Sequence, residues 1–386
     1  MLRYSIVFIL LIILNACVTE FIPDIGVFKE FYVVEGLITD LPGRHTIRIS
    51  KSVPLGTEAS FEPVTKCGVW ITDDNNYKYQ LTEISDGTYV TSDDFCGEVG
   101  REYTLNVEIV HFKPPSPARI VDYTLRSFPV RMIPVPEIDS LYYEKTELKQ
   151  EDGFIFPGEG CNVYINTSDP EGKCEYYRWD YSETWQIENP GFDGVINRVC
   201  WITNNSEDIN IKSISRLSEN RLDHFPIKLI SNETDRLRER YRIMVNQYSL
   251  SEDEYKYWSD LEKITEQSGN LYDKIPASIS GNMYCANDAD IQVLGYFSVS
   301  AKRSKVLYID EYFKGVPWPY LHCLQDSLIK KRGDLLPSPE FLNILYYLVE
   351  DKWNTEAGFM ITTTDRECVD CTVRGSTIKP DFWIDR

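Results

Sequence analysis

The sequence predicts a mainly β protein with minor α content, in which an N-terminal immunoglobulin-like β-sandwich precedes a larger β-rich domain that carries two or more helices. Short segments of alternating apolar and polar residues recur between turn residues along most of the chain, as in the strands of sandwiches. The proline-rich stretch "HFKPPSPARI" separates two such regions. The helix start signals lie in the second region.

The first strand-rich region covers residues 30–125 and is expected to form the sandwich. Its strand-like segments are "FYVVEGLITD", "HTIRISKSV", "CGVWITDDNNYKYQLTE" and "REYTLNVEIV", with turn residues between them. In the last segment Tyr103, Leu105 and Val107 fall on one face, because strand side chains alternate with a period of two. This regular spacing of strands and turns is typical of a small β-sandwich.

The second region, residues 138–386, follows a connector punctuated by proline and is expected to combine strands with helices. Ser251 suits a helix N-cap, and Glu254, three residues later, completes the pattern of a capping box. Ser338 and Pro339 predict the start of another helix, which continues through Tyr347 or beyond. The domain boundary is expected between residues 110 and 138.

The first residues, "MLRYSIVFILLIILNAC", predict an exported protein. Arg3 precedes a short apolar run, the pattern of a signal peptide rather than of a membrane span. The residues "LNAC" resemble the lipobox of bacterial lipoproteins, which predicts a signal peptide at 1–16, lipidation of Cys17 and a tether over 17–29. An ordinary cleaved signal with a coincidental cysteine is the alternative.

The chain is acidic, with a formal net charge of −20 at pH 7. Binding to nucleic acid phosphates requires clustered Lys and Arg, so the sequence argues against a nucleic acid partner. The acidity is typical of a domain that must stay soluble outside the cytoplasm.

The cysteines other than Cys17 are expected in an oxidising space, where disulfides persist. A disulfide between Cys67 and Cys96 competes with independent buried thiols. The ending "ECVDCTVRG" raises a zinc half-site or a redox pair as alternatives. Because no second pair of cysteines completes a zinc ribbon, disulfides to strand cysteines fit better. The candidates are Cys200 and Cys285 as partners of Cys368 and Cys371.

The sequence contains no recognised catalytic or metal-binding motif. Its four histidines lack the spacing of a helical zinc site, and acidic groups at 169–175 and 287–290 do not complete a calcium loop. We interpret both acidic groups as polar turns. No cofactor, no metal and no enzymatic activity are expected.

Aromatic residues cluster in the segment "YYRWDYSETWQI". Exposed rings of Tyr177, Trp179, Tyr181 and Trp185 could stack on a glycan or peptide ligand. The alternative is that they fill the core, because strands of sandwiches are enriched in Trp and Tyr.

Four stretches occur in an order that resembles a known family. They are "RYRIMVNQYSLSEDEYKYWSDLEK", "GNLYDKIPASISGN", "VLGYFSVSAKR" and "CVDCTVRGSTIKPDFW". The chain is similar to Bacteroidota outer-membrane lipoproteins defined by a domain of unknown function, which are often encoded beside TonB-dependent receptors. The resemblance spans essentially the whole mature chain and transfers no catalytic residues.

This resemblance implies a non-enzymatic lipoprotein held in the outer membrane by its lipid anchor. It further implies an accessory or partner of a TonB-dependent receptor in nutrient uptake or envelope assembly. A surface lipoprotein that binds a glycan or peptide on its own is the alternative. Whether the protein faces the periplasm or the cell surface stays open.

Two of these stretches also have a physical interpretation. Gly295 is expected to let a neighbouring backbone approach a strand closely. Phe382 and Trp383 are expected to dock on the core and tie down the chain end.

Overall fold

The computed structural model describes most of the chain. The described residues are 31–52, 61–112, 119–153, 157–189, 196–217, 219–268, 279–318, 328–331, 347–351, 359–363 and 366–385. The signal peptide at 1–16, Cys17 and the tether at 17–29 lie outside them.

The described residues form a mostly β structure with one α-helix, α1. The strands of the first part are β1 (Tyr32–Thr39), β2 (Thr46–Ser52), β3 (Phe61–Pro63), β4 (Gly68–Asp73), β5 (Lys78–Gln80), β6 (Thr82–Ser85), β7 (Thr88–Val90), β8 (Glu102–Phe112), β9 (Arg119–Ser127) and β10 (Val130–Arg131). Next come β11 (Ile138–Leu148), β12 (Gly158–Ser168), β13 (Tyr176–Glu188), β14 (Val199–Asn205), β15 (Asn210–Ser213), β16 (Arg221–Ile230) and β17 (Tyr241–Ser249). They are followed by α1 (Glu252–Ser268), β18 (Met283–Cys285), β19 (Val293–Leu294), β20 (Phe297–Ser300), β21 (Lys302–Ile309), β22 (Leu328–Lys331), β23 (Tyr347–Asp351) and β24 (Phe359–Thr363).

The first sandwich has the immunoglobulin-like arrangement that the sequence predicts. One sheet has the order β19-β1-β2-β7-β6, and the other has the order β18-β9-β8-β4-β5. Strands β1, β2, β7 and β6 against β9, β8 and β4 reproduce the immunoglobulin strand order. Tyr103, Leu105 and Val107 are buried between the sheets. The Tyr103 hydroxyl accepts a hydrogen bond from the backbone N–H of Glu98 at 2.8 Å, as in the tyrosine corner of these folds.

The second sandwich repeats the topology of the first. Its sheets have the orders β11-β12-β16 and β14-β13-β17-β21. Strands β11, β12 and β16 take the places of β1, β2 and β7, while β14, β13, β17 and β21 take those of β5, β4, β8 and β9. Apolar side chains from both sheets share one buried core. The larger domain is therefore built on a second sandwich of the same type.

A segment of chain between two strands of the second sandwich supplies strands to the first sandwich. Residues 250–301 connect β17 to β21 of the second sandwich, yet β18 pairs with β9, and β19 and β20 pair in parallel with β1 of the first. The predicted range 138–386 therefore contains three strands of the first sandwich. The pairing of β1 with β20 joins residues about 260 positions apart, so local sequence patterns do not indicate it.

The prediction of two or more helices is only partly met in the described residues. Helix α1 begins where the capping box predicts, since the backbone N–H of Glu254 donates to Ser251 Oγ at 3.2 Å. The predicted helix after Ser338 lies outside the described residues up to position 346. Tyr347, where that helix was expected to continue, begins strand β23 instead.

A disulfide ties the chain end to the second sandwich. Cys371 is bonded to Cys200 of β14, closing 171 residues of sequence separation, and both side chains are buried. Cys368 is also disulfide-bonded. Since Cys371 is bonded to Cys200, Cys368 and Cys371 are not bonded to each other. The interpretation of the C-terminal cysteines as disulfide anchors is confirmed for Cys200 as partner.

The other proposed disulfide cysteines are thiols. The Cys96 thiol contacts the Asp40 carbonyl oxygen at 3.1 Å, and Cys67 contacts the carbonyl of Val64. Of the two alternatives for Cys67 and Cys96, the disulfide does not form: both are thiols, but Cys67 is only half-buried and Cys96 is exposed. Cys285 is also a buried thiol rather than a disulfide partner.

Hydrogen bonds around Asp370 and the docking of Trp383 reinforce the disulfide. Asp370 is buried, which opposes its ionisation, but hydrogen bonds from Thr372, Asn197 and Arg366 outweigh this and lower its pKa. Trp383 is buried beside Trp201, as predicted for the chain end, whereas Phe382 is 45% exposed.

Replacing Cys200 and Cys371 by serine together is expected to lower the free energy of unfolding by about 3–5 kcal/mol, because the cross-link restricts a long loop in the unfolded chain. Urea unfolding of both proteins without reductant measures the difference. Cys285→Ser controls for the loss of a buried sulfur that forms no disulfide. Equal unfolding midpoints for the double variant and the native protein would contradict this role.

Gly295→Ala is expected to lower the free energy of unfolding by about 1–3 kcal/mol more than Gly100→Ala. Both glycines have φ near +90°, but a Cβ at residue 295 would overlap the carbonyl oxygen of Val34, whereas a Cβ at residue 100 meets open space. Thermal and urea unfolding of the two variants isolate the effect of close packing. A similar loss in both would show that only the backbone angle matters.

Candidate functional site

The aromatic side chains that the sequence offers as ligand-stacking residues are buried. Tyr177, Trp179, Tyr181 and Trp185 are at most 4% exposed and belong to the core of the second sandwich. All four are odd-numbered residues of β13, and the period of two turns them inward together. The prediction of a ligand-stacking surface is therefore wrong. These rings fill the core, as the alternative interpretation states.

The opposite face of β13 contributes to a cavity between the two sandwiches. Arg178 and Asp180 alternate with the buried rings and point away from the core. The cavity, which we call the junction cavity, has a volume of about 350 Å³. Its lining comprises Glu35, Gly36, Leu37, Thr46, Arg48, Arg178, Asp180, Tyr257, Trp258, Tyr296 and Ser298.

Three elements provide the walls of the junction cavity. The first wall is the outer face of the β1–β2 sheet, where Glu35 lies directly across from Arg48 in the strand register. Helix α1 contributes Tyr257 and Trp258, and the outer face of β13 closes the third side. Strand β20, in the segment 250–301 between β17 and β21, adds Ser298. The cavity thus exists only because the chain joins both sandwiches.

Arg178 is the most distinctive side chain in this cavity. Its guanidinium lies over the ring of Tyr248 at 4.8 Å and over that of Trp258 at 4.6 Å. Among the described residues, its Nε–H has no hydrogen-bond partner. Aromatic stacking satisfies the faces of a guanidinium but leaves its N–H edge available for an oxyanion.

Two carboxylates balance the arginines. Asp180 accepts a hydrogen bond from Asn246 Nδ2 at 2.6 Å. The side chain of Glu35 is partly exposed, but the burial of its carboxyl group raises its pKa, while Arg48 acts in the opposite direction. The cavity therefore combines a fixed cationic group with a carboxyl group whose ionisation is weakened.

Glu254 lies beside the cavity and is completely buried. Its Oε1 accepts a hydrogen bond from Trp258 Nε1 at 3.3 Å, while its Oε2 has no partner among the described residues. Burial raises the pKa of Glu254, and the nearby Ser298 hydroxyl and the charge of Arg178 oppose this effect. The side chain that completes the capping box in sequence thus turns inward and supports Trp258.

A second charged cluster serves the core of the second sandwich. Glu183 lies among the inward rings of β13, is 2% exposed, and accepts a hydrogen bond from the Tyr241 hydroxyl at 2.6 Å. Arg236 and Lys228 lie 3.1 and 3.7 Å from its carboxylate. These partners compensate the buried charge, as a carboxylate in a core requires.

The acidic groups at 169–175 and 287–290 form turns, as the sequence predicts. Asp169 accepts hydrogen bonds from the backbone N–H groups of Lys173 and Cys174, both at 2.7 Å. Asp288 accepts one from the backbone of Asp290. Within the described ranges, no group of three or more His, Cys, Asp or Glu side chains is placed to hold a metal ion. No helix in the same ranges is long and apolar enough to cross a membrane.

The junction cavity was not predicted from the sequence. Glu35 and Arg48 lie in one predicted domain, whereas Arg178 and Trp258 lie in the other. The one available signal is the alternation of charged and aromatic residues in "YYRWDY". On a strand covered on both faces, that alternation indicates a polar contact opposite the core.

Replacing Glu254 by glutamine is expected to remove part of the pH dependence of stability. Because burial raises its pKa above the ordinary value of 4.5, Glu254 contributes fully below that value and its contribution is lost as the pH rises through the folded-state pKa. Urea unfolding from pH 4 to 8 should show the variant gaining stability relative to the native protein as pH rises.

Glu252→Gln is the matched control, because it removes an exposed charge from the same helical turn. If the difference between Glu254→Gln and the native protein is constant over this pH range, the buried carboxyl does not titrate as expected.

The comparisons with known proteins identify a family but no activity. The model of the domain of unknown function DUF4249 matches residues 18–306. No curated protein matches the chain. The match covers both sandwiches up to the middle of β21, including every residue that lines the junction cavity. The chain therefore belongs to the DUF4249 family.

Proposed function

We propose that this protein is a non-enzymatic lipoprotein of the cell envelope, anchored in the outer membrane through Cys17. It acts there as an accessory or partner of a TonB-dependent receptor in nutrient uptake or envelope assembly. In this role it binds other molecules and catalyses no reaction. The receptor partnership rests on the resemblance to Bacteroidota lipoproteins, and the features below support a binding role.

The location is supported by two independent observations. The leader "MLRYSIVFILLIILNAC" ends at Cys17, and the family match begins at the next residue. A leader that is removed would leave the family domain directly behind the lipidated cysteine. The Cys200–Cys371 disulfide is typical of proteins that mature outside the cytoplasm.

The observation that supports binding most strongly is that β18, β19 and β20, which lie between two strands of the second sandwich, belong to the first sandwich. Pairing of β20 with β1, followed directly by pairing of β21 with β17, holds the two bodies in one arrangement. A surface that is ordered before binding loses little conformational entropy when a partner docks. Such a body suits a protein that must present a fixed surface to a membrane receptor.

The second candidate is a lipoprotein that captures a glycan or peptide on its own. The buried rings of β13 no longer support it, but the junction cavity does. Its volume of about 350 Å³ falls in the usual range of small-ligand sites, about 300–1,000 Å³. This candidate requires no receptor.

Cys17→Ala is expected to move the protein from the membrane fraction to the soluble fraction, because the acyl chains are the proposed anchor. Cys96→Ser, which alters a thiol remote from the leader, controls for the loss of a cysteine. Cell fractionation followed by immunoblotting measures the distribution. A membrane-bound Cys17→Ala protein would contradict the lipoprotein assignment.

Affinity purification of the native protein from detergent-solubilised membranes tests the receptor. Co-purification of a TonB-dependent receptor, lost when the bait carries no anchor, is expected. Recovery of the bait without any outer-membrane receptor would contradict the partnership and leave the independent binding role.

A further inference from the structure

We infer that the junction cavity binds a small ligand through a carboxylate, which pairs with the guanidinium of Arg178. The body of the ligand lies against the rings of Tyr257 and Trp258. This inference rests on the proposed role as a binding protein, but it requires neither the receptor nor the lipid anchor.

Arg178 has the properties of an anion anchor. Guanidinium presents its N–H donors in one plane, and two parallel hydrogen bonds to a carboxylate match this geometry. Tyr248 and Trp258 hold that plane from its faces at 4.8 and 4.6 Å, so its orientation is set before a ligand arrives. The Nε–H of Arg178 is buried and has no hydrogen-bond partner among the described residues.

The other arginine of the lining, Arg48, is exposed. Arg48 lies across the strand pair from Glu35 and opposes the rise in the Glu35 pKa, and Asp180 is held by Asn246. Arg178 differs from Arg48 because, among the described residues, its buried Nε–H leaves hydrogen-bonding capacity unused. A neutral ligand would leave that capacity unused, whereas a single carboxylate would satisfy it.

The remaining lining selects the body of the ligand. Tyr257, Trp258 and Tyr296 place three aromatic side chains in the same cavity. Aromatic faces pack well against apolar side chains and against the C–H faces of sugar rings. The C-terminal residue of a short peptide and a uronic acid unit share this chemistry, with a carboxylate beside an apolar face.

The competing role for Arg178 is to compensate the buried charge of Glu254, on which it exerts an electrostatic influence. A purely compensating role needs only a positive charge near Glu254. A carboxylate anchor needs the planar fork of donors as well, which lysine lacks. Arg178→Lys therefore separates the two roles.

The test uses isothermal titration calorimetry on the full chain in detergent with two matched pairs of probes. The first pair is the tripeptide Gly-Gly-Phe as free acid and as C-terminal amide. The second pair is digalacturonic acid and its methyl ester. We expect one acid to bind and its neutral partner to bind about 10- to 100-fold more weakly, the effect of losing hydrogen bonds to a charged group.

The variants locate the effect. Arg178→Lys and Arg178→Gln are expected to abolish the preference for the acid over its neutral partner. Arg242→Gln is the matched control, because Arg242 is also stacked on an aromatic ring, that of Phe382 at 4.1 Å, but does not line the cavity. Unfolding midpoints of each variant report any loss of folding separately.

Each outcome decides between the alternatives. Preference for the peptide acid or for the uronic acid identifies the source of the carboxylate. The inference is overturned if neither acid binds, if acid and neutral partner bind equally, or if Arg178→Lys keeps the native preference. Carboxylate-selective binding without a co-purified receptor would uphold this inference while contradicting the receptor partnership.

Discussion

The parallel pairing of β1 with β19 and β20 is the constraint on which the rest of the structure depends. It carries the chain from the first core to the second within a few residues, since Val299 is buried in the first core and Ala301 in the second. The close approach at Gly295 allows this pairing, and Asp40 then accepts a hydrogen bond from the backbone of Lys302 at 2.7 Å. Two sandwiches of the same topology thereby form one unit.

The junction cavity is a consequence of this arrangement. In each sandwich, the sheet at the junction has one face toward its own core and the opposite face toward the other sandwich. Polar side chains on these two outer faces therefore meet. Helix α1 contacts the sheets there through Trp258, over which the guanidinium of Arg178 lies at 4.6 Å, and through Glu254, on which Ser298 and Arg178 act. Binding at such a junction draws on side chains from both domains, which neither sandwich could provide alone.

The sequence predicted the features that depend on local pattern. Alternation identified the strands of the first sandwich, the capping residues located the start of α1, and the C-terminal cysteines were correctly interpreted as disulfide anchors. The sequence could not predict which strands of the second region join the first sandwich, because the pairing of Leu37 with Ser298 depends on residues far apart in the chain. For the same reason Cys200 and Cys285 could not be separated as partners of Cys371. The cluster of aromatic residues in β13 was recognised from the sequence, but the sequence did not show that these rings face the core.

The pairing of β1 with the late strands β19 and β20 also sets an order for the folding of the chain. Strand β1 is among the first to be synthesised, yet one of its edges obtains its partner only when residues 293–300 are available. Until then the first sandwich has an open edge, which is a template for pairing with other chains. Contacts this distant in sequence also form slowly. The unfinished first sandwich must therefore be kept from aggregating while about 160 further residues, from 132 to 292, are added.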